Sequence, residues 1–341
     1  MTADRPRIAL TMGDVAGIGP EVCARACTNS DLLALVDPVV FGNADVLKRA
    51  LDMLAFPHTI RRLPHIGAAP TTVETIACYD PGSDDVVDVP PATIDARAGR
   101  SAYEYLTAAA RVALAGDVDA IVTAPLNKAA LHAAGLNYPG HTEILADVCG
   151  VRNFGMMLYM PPGGKVASPH GLGVVHVTLH TSIRSVPGLL TTEAVSEKIG
   201  LMQQFMSAMD CPVPRLAVCA LNRHAGEEGL FGDEEATILA PAVAAAVAEG
   251  LNVTGPLPAD TLMQRACRGE FDGVIAMYHD QGHIALKLLG FESAVNVTLG
   301  LPIIRTSPSH GTAFDIAWKG SARMDGMQQA IRVAAMLTRA R

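Results

Sequence analysis

The stretch GVIAMYHDQGHIALKLLG, Gly273 to Gly290, opens as an apolar run and closes on a helical period, with Tyr-His-Asp-Gln-Gly-His between the two. A short Val/Ile/Ala run that is apolar on both faces is the mark of a strand buried in a parallel sheet. The residues after it carry leucines at helical spacing, so the polar cluster falls at a strand-to-helix junction. In open α/β sheets, side chains at the carboxyl ends of strands emerge from the core at a common rim, where ligands bind. The same pattern recurs along the chain. RIALTMG, LVDPVVFGN, DAIVTAPL, GVVHVTLH and RLAVCALN read as further buried strands. SAYEYLTAAARVALAG and EEATILAPAVAAAVAEG read as helices between them. The expected fold class is α/β, with a mostly parallel sheet covered on both sides.

Composition narrows the possibilities. The chain has 341 residues, half of them apolar and 18% charged, with a formal net charge of −8. That length allows two domains, and that charge disfavours nucleic acid as a partner. Aromatic residues make up only 4%, too few for base-stacking platforms. Seven scattered cysteines without a C-x-x-C exclude a disulfide framework and a cysteine zinc site. Cys23 and Cys27, one helical turn apart, read as small core residues. MTADRPRIAL carries no apolar signal segment, and no run reaches the ~18–20 residues of a membrane span, so no membrane contact and a cytoplasmic location are expected. MPPGGKVASPHGLG, Met160 to Gly173, reads as an exposed loop or hairpin tip.

Polar chemistry gathers where the strands end. His180 closes GVVHVTLH, His224 sits in LNRHAGEEG, and His279 follows GVIAMY. Three imidazoles at matching strand ends suit one divalent ion with positions left open for substrate oxygens. The competing reading is three satisfied core histidines, as His176 deeper in its strand is expected to be. In NYPGHTEILA, Gly140 gives a turn, Thr142 is placed to cap the next helix, and His141 and Thr142 face an anion there. Lys287, eight residues beyond His279, and Arg305, with Asn296, suit a phosphate or carboxylate. In SHGTAFDIAWKG, Gly311 allows close backbone approach, and Thr312 and Asp315 offer groups to a ribose or adenine. GDVAGIGPE lacks the third glycine of a dinucleotide fingerprint; its Pro20 and Glu21 read as the first turn of a helix.

GDVAGIGPE, TAPLNKAALHAAGLNYPGHTE, NRHAGEEGLFGDEE, YHDQG and NVTLGLPIIRTSPSHGTAFDIA together resemble the 4-hydroxythreonine-4-phosphate dehydrogenase family of pyridoxal phosphate biosynthesis, from about Ile8 to the last helix. The resemblance implies an isocitrate/isopropylmalate dehydrogenase-like fold of two α/β domains with a cleft between them. The domains expected are residues 1–130 with 290–341, and residues 131–289. It also implies a homodimer with shared active sites, NAD (or NADP) as hydride acceptor, and one divalent ion per site (Zn, Mg, Co or Mn). On this resemblance the metal ligands fall on His180, His224 and His279. The substrate-binding positions fall on His141, Thr142, Lys287, Asn296 and Arg305. The similar loop of isopropylmalate dehydrogenases places cofactor contacts on His310, Gly311, Thr312, Ala313 and Asp315.

Lys287 is the expected proton-transfer group or carboxylate anchor, and Asp280 is expected to orient His279. NYPGHTE, YHDQGHI and AFDIAW are similar to the branch acting on D-threonate and D-erythronate 4-phosphates. Val15 and Arg223 stand where proline is usual, and Arg223 sets a cation beside His224. The expected reaction is oxidation, with decarboxylation, of a 4-phosphorylated hydroxy acid. Its rivals are oxidation of a cyclic dihydrodiol carboxylate, a metal-dependent hydrolase or aldolase without NAD, and a non-catalytic binding protein.

Overall fold

The computed structural model describes residues 5–290 and 292–340; Met1 to Asp4, the start of the segment read as lacking a signal, lie outside it. The chain divides into two compact units, Met1–Arg152 with Leu301–Arg339, and Asn153–Gly300 with Ala340–Arg341. Residues 131–152, grouped above with the second domain, belong to the first unit, and 292–300 belong to the second.

In the first unit the strands are β1 (Arg7–Thr11), β2 (Asp37–Phe41), β3 (Thr59–Arg62), β4 (Thr75–Tyr79), β5 (Ala120–Thr123) and, late in the chain, β12 (Ile304–Pro308). They lie in the order β3-β4-β2-β1-β5-β12, and every pair is parallel. β1, β2 and β5 are buried almost throughout, which is why they read as continuous apolar runs. The chain leaves β1 toward β2 on one side and later returns as β5 on the other. The ends of β1 and β5 therefore flank a topological switch point, where a parallel sheet opens a crevice. The helix Gly19–Cys27 follows β1 with a proline in its first turn and Glu21 beside it, and Cys23 and Cys27 are fully buried, as expected. The long helix Ala96–Ala115 starts on the Asp95 side chain and stops at left-handed Gly116.

In the second unit the strands are β6 (Gly155–Met160), β7 (Leu172–His176), β8 (Leu216–Cys219), β9 (Val253–Leu257), β10 (Gly273–Ala276) and β11 (Val295–Leu299), ordered β11-β6-β7-β10-β8-β9. β7, β10, β8 and β9 run parallel, whereas β6 is antiparallel to both of its neighbours. β6 and β7 form the hairpin whose tip was expected from the Gly/Pro-rich segment. The sequence reading missed β6 because GMMLYM is rich in methionine, which carries no strand signal even when fully buried. It missed β9 because VTGPL holds a glycine and a proline, which only an edge strand tolerates. EEATILAPAVAAAVAEG is not one regular helix. A π turn, Glu235–Leu239, precedes the α-helix Ala240–Ala248, because Pro241 supplies no N–H to the turn before it.

Candidate active site

The junction after β10 is built one residue at a time. β10 ends at Ala276 and the helix His279–Gly290 begins three residues later. Gln281 ties the turn down, since its Oε1 accepts from Met277 N at 2.7 Å and its Nε2 donates to Ala220 O at 2.8 Å. Thr178 Oγ1 donates to the Met277 carbonyl at 2.8 Å. The turn is thus held from the ends of both neighbouring strands. His279 emerges from it with Nδ1 2.7 Å from Asp280 Oδ1, the orienting contact expected of Asp280. A carboxylate only accepts, so Nδ1 carries the hydrogen and Nε2 keeps its lone pair, the arrangement typical of a metal-ligating imidazole.

His279 and His180 line one open pocket of about 420 Å³, together with Tyr278, Asp280, Thr181 and Ser182. β7 ends at His176, so His180 lies in the segment beyond the strand rather than closing it. His224 does not line that pocket, and its Nδ1 is engaged by Glu227 Oε1. Among the described residues, no three His, Cys, Asp or Glu side chains of the single chain gather closely enough to hold an ion. His224 lies in an unusual backbone. His224, Ala225, Gly226, Glu227 and Glu228 all have positive φ, between 44° and 79°. Side-chain-bearing residues adopt that left-handed region at a cost of roughly 1–2 kcal/mol each. Glu235, nearly buried in the π turn, holds the segment: its two oxygens accept from Asn222 N at 2.7 Å and Asn222 Nδ2 at 3.0 Å. Strain retained in this way is typical of functional segments.

Behind His279 lie two histidines that the sequence reading did not place in the site. His283 stacks on His279 with ring centroids 3.8 Å apart and planes 13° apart. Its Nδ1 lies 3.1 Å from Nε2 of His176, which is wholly buried as expected. Burial, then the neighbouring imidazole of His176, pushes His283 down to about 2. Burial likewise lowers His176 to about 4. Lys287 follows one turn after His283 on the same face of the helix. Asn296 lies on β11 opposite Leu158, and its Oδ1 is buried with no hydrogen-bond partner among the described residues.

The first unit gathers an anion-binding group. Arg305, on β12 beside Ile121 of β5, is 2% exposed. Its Nη2 donates to Thr123 Oγ1 at 2.6 Å. Burial lowers its pKa to about 10, against the opposing pull of the nearby Glu143 carboxylate, so the buried guanidinium keeps its charge. His141 opens the helix His141–Cys149 and is held well below the usual histidine range, by burial first and then by Arg305, with Lys128 adding to the effect. Thr142 is buried in the first turn, but it is not the cap. Gly140 occupies that position with extended backbone and no side chain, so no capping side chain takes the N–H groups of this turn. Thr123 ends β5 and Lys128 follows five residues later; both lie within TAPLNKAALHAAGLNYPGHTE but were given no role there, and the helix start at Gly140 is what brings Lys128 near.

Around the switch point, the loop after β1 and the segment 309–320 pack together. Ile18 N donates to Thr312 O at 3.1 Å, and a Cβ on Gly17 would lie 3.0 Å from Thr312. His310 Nδ1 donates to Gly311 O at 3.1 Å, which leaves Nε2 as a buried acceptor with no partner among the described residues. Gly311 is exposed with open space where a Cβ would be, Ala313 is left-handed at φ 45°, and Asp315 is exposed. An open glycine beside an orphaned imidazole acceptor fits a ligand edge, so these residues suit the dinucleotide expected there. Asp14, also missed, is fully buried with Oδ1 accepting from Ala16 N at 2.8 Å and Oδ2 unpartnered among the described residues. Burial, against the Ala16 hydrogen bond and with Asp95 adding to it, raises its pKa to about 6.

The sequence profile of the pyridoxal phosphate biosynthetic protein PdxA matches residues 34–334. The chain is 44% identical over 339 residues to D-threonate 4-phosphate dehydrogenase of Salmonella typhimurium, covering 97% of this chain and 98% of that one. A crystal structure of 4-hydroxythreonine-4-phosphate dehydrogenase from Klebsiella pneumoniae superposes with a TM-score of 0.84 at 44% identity, covering 98% of this chain and 99% of that one. A beta-decarboxylating dehydrogenase from Thermococcus kodakarensis shares the fold at 17% identity, with a TM-score of 0.50 over 97% of this chain and 82% of that one. An isocitrate/isopropylmalate dehydrogenase-like α/β chain, it belongs to the PdxA family of pyridoxal phosphate biosynthetic proteins.

Proposed function

We propose that the protein oxidises a secondary alcohol of a 4-phosphorylated hydroxy acid, with NAD and a divalent ion, and that the oxidised product loses carbon dioxide. The dehydrogenase names of its relatives support the reaction class, and D-threonate 4-phosphate or 4-hydroxythreonine 4-phosphate is the substrate type they suggest. The observation that carries the phosphate is Arg305, a buried cation braced by Thr123, with neutral His141 at the start of a helix beside it. His141, Thr142 and Arg305 hold the phosphate, with Lys128 adding charge.

The donor set fits a divalent ion. His180 and His279 share a pocket, and His279 and His224 each have a carboxylate on Nδ1. In this reading the third imidazole of each site comes from a second copy of the chain. Exposed Ile183, Leu189, Leu230, Phe231, Ile284 and Leu288 in the histidine-bearing unit offer the apolar surface that such a homodimer would bury. When bound, the ion supplies positive charge at the alcohol oxygen and NAD takes up the hydride. Lys287 receives or returns the proton at the substrate oxygen, and Asn296 orients the carbon chain. His310, Gly311, Thr312, Ala313 and Asp315 hold the adenosine end of the dinucleotide.

The test is a panel of 4-phosphorylated hydroxy acids and a cyclic dihydrodiol, followed at 340 nm with NAD and added metal. NADH formation with a phosphorylated acid and not with its unphosphorylated analogue is expected. Product without any change at 340 nm would instead assign a hydrolase or aldolase.

A further inference from the structure

We infer that His283, held by His176, is a positioning residue: its ring is the platform that fixes the plane of the His279 imidazole for the ion. The inference rests on the reading of His279 as a metal ligand. It begins at one carbonyl. Met156 O can only accept, so His176 Nδ1, 3.2 Å away, carries the hydrogen. A neutral imidazole then has its lone pair at Nε2, and that atom faces His283 Nδ1 at 3.1 Å. The bond requires the hydrogen on Nδ1 of His283. A single backbone oxygen therefore sets the tautomers of two rings, and the sequence of bonds stops in the core, so it is no proton relay.

What it delivers is orientation. His283 lies one helical turn from His279, and the two rings are nearly parallel with centroids 3.8 Å apart. The stack restrains the tilt of the His279 ring. The 2.7 Å bond from Nδ1 to Asp280 restrains its rotation within that plane. Together they aim Nε2, and a ligand must be held within about 10–20° of its productive direction. The packing makes room for this at one position: a Cβ on Gly282 would lie 2.6 Å from His176 Nε2 and 2.7 Å from Val174 Cγ1. His-Asp-Gln-Gly-His thus reads as ligand, orienter, tie to the neighbouring strand, clearance and platform. A leucine would fill the space under His279 without the burial of two imidazoles; a flat ring for His279 to stack on is what His283 adds, and the bond to His176 fixes its tautomer.

Full-length wild type, His283→Phe and His283→Ala are titrated with Co²⁺ by calorimetry, with visible spectra and melting temperatures taken in parallel. Phenylalanine keeps a flat ring but loses the bond to His176, as alanine does. The expected result is Co²⁺ affinity within about 3-fold of wild type for His283→Phe, and a loss of about 10–100-fold with altered visible bands for His283→Ala. A purely structural role would move the two variants together. Equal Co²⁺ affinity in His283→Ala and wild type overturns the inference and leaves the metal reading standing, as does an equal loss in both variants. Failure of the wild type to bind Co²⁺ overturns both.

Discussion

Arg305 Nη2 donates to Thr123 Oγ1 at 2.6 Å from inside the sheet of the first unit, joining the start of β12 to the end of β5 through a charge with almost no access to water. A guanidinium so placed is oriented before any anion arrives. Arg305→Ala is expected to raise KM for a phosphorylated substrate by about 10–100-fold, the value of a charged hydrogen-bond set. Its effect on an unphosphorylated analogue should be small. Steady-state kinetics on the pair of substrates reads the difference, and equal effects on both would remove Arg305 from the phosphate site.

Glu235 accepts two hydrogen bonds from Asn222 and holds the left-handed segment that carries His224. Glu235→Ala should lower stability by about 2 kcal/mol, since bonds to a buried carboxylate are lost. Turnover should fall further than stability predicts, because the strained backbone relaxes. Thermal melts, activity and limited proteolysis across residues 222–230 report the two effects separately. Unchanged proteolysis there would show that Glu235 does not hold the segment.

Asp14 gives the protein a pH signature. Its pKa in the folded chain, about 6, lies above the unfolded value of 3.8, so the folded state binds this proton more tightly. The resulting stabilisation is full below about pH 4 and is lost as pH rises through about 6. A rise of that size corresponds to about 3 kcal/mol. Asp14→Asn, which stays neutral, should therefore gain on the wild type as pH increases from 4 to 8. Parallel denaturant melts measure the gap, and a gap that stays constant with pH would place the charge elsewhere.

The carboxylate on His279 makes a separate prediction for metal removal. Chelation should abolish NADH formation, and added divalent ion should restore it. Asp280→Ala should weaken metal binding by about 10-fold, the lower end for an outer carboxylate because this pair is partly exposed. Titration of the apo-protein with Zn²⁺ checks the shift. Full activity after exhaustive chelation would end the metal reading.

The parallel strands were legible because strands buried on both faces must be apolar throughout, as GVIA and AIVT are. The rim was legible because its polar residues interrupt those runs at their ends. β6 and β9 were not, since their burial and edge position are properties of the neighbours they pair with. Thr142 was read as a cap from residue type alone, whereas the cap position fell to Gly140, two residues earlier, a choice made by backbone geometry.

The sequence by itself determined the α/β class and the family, because buried strands and motif residues are local in the chain. The tertiary structure alone decided that His283 lies under His279 and that Glu235 grips the segment of His224. It alone added Thr123 and Lys128 to Arg305 and His141, which the resemblance had already grouped. Each of these depends on distances between residues remote in sequence or on which ring nitrogen carries a hydrogen, and folding fixes both.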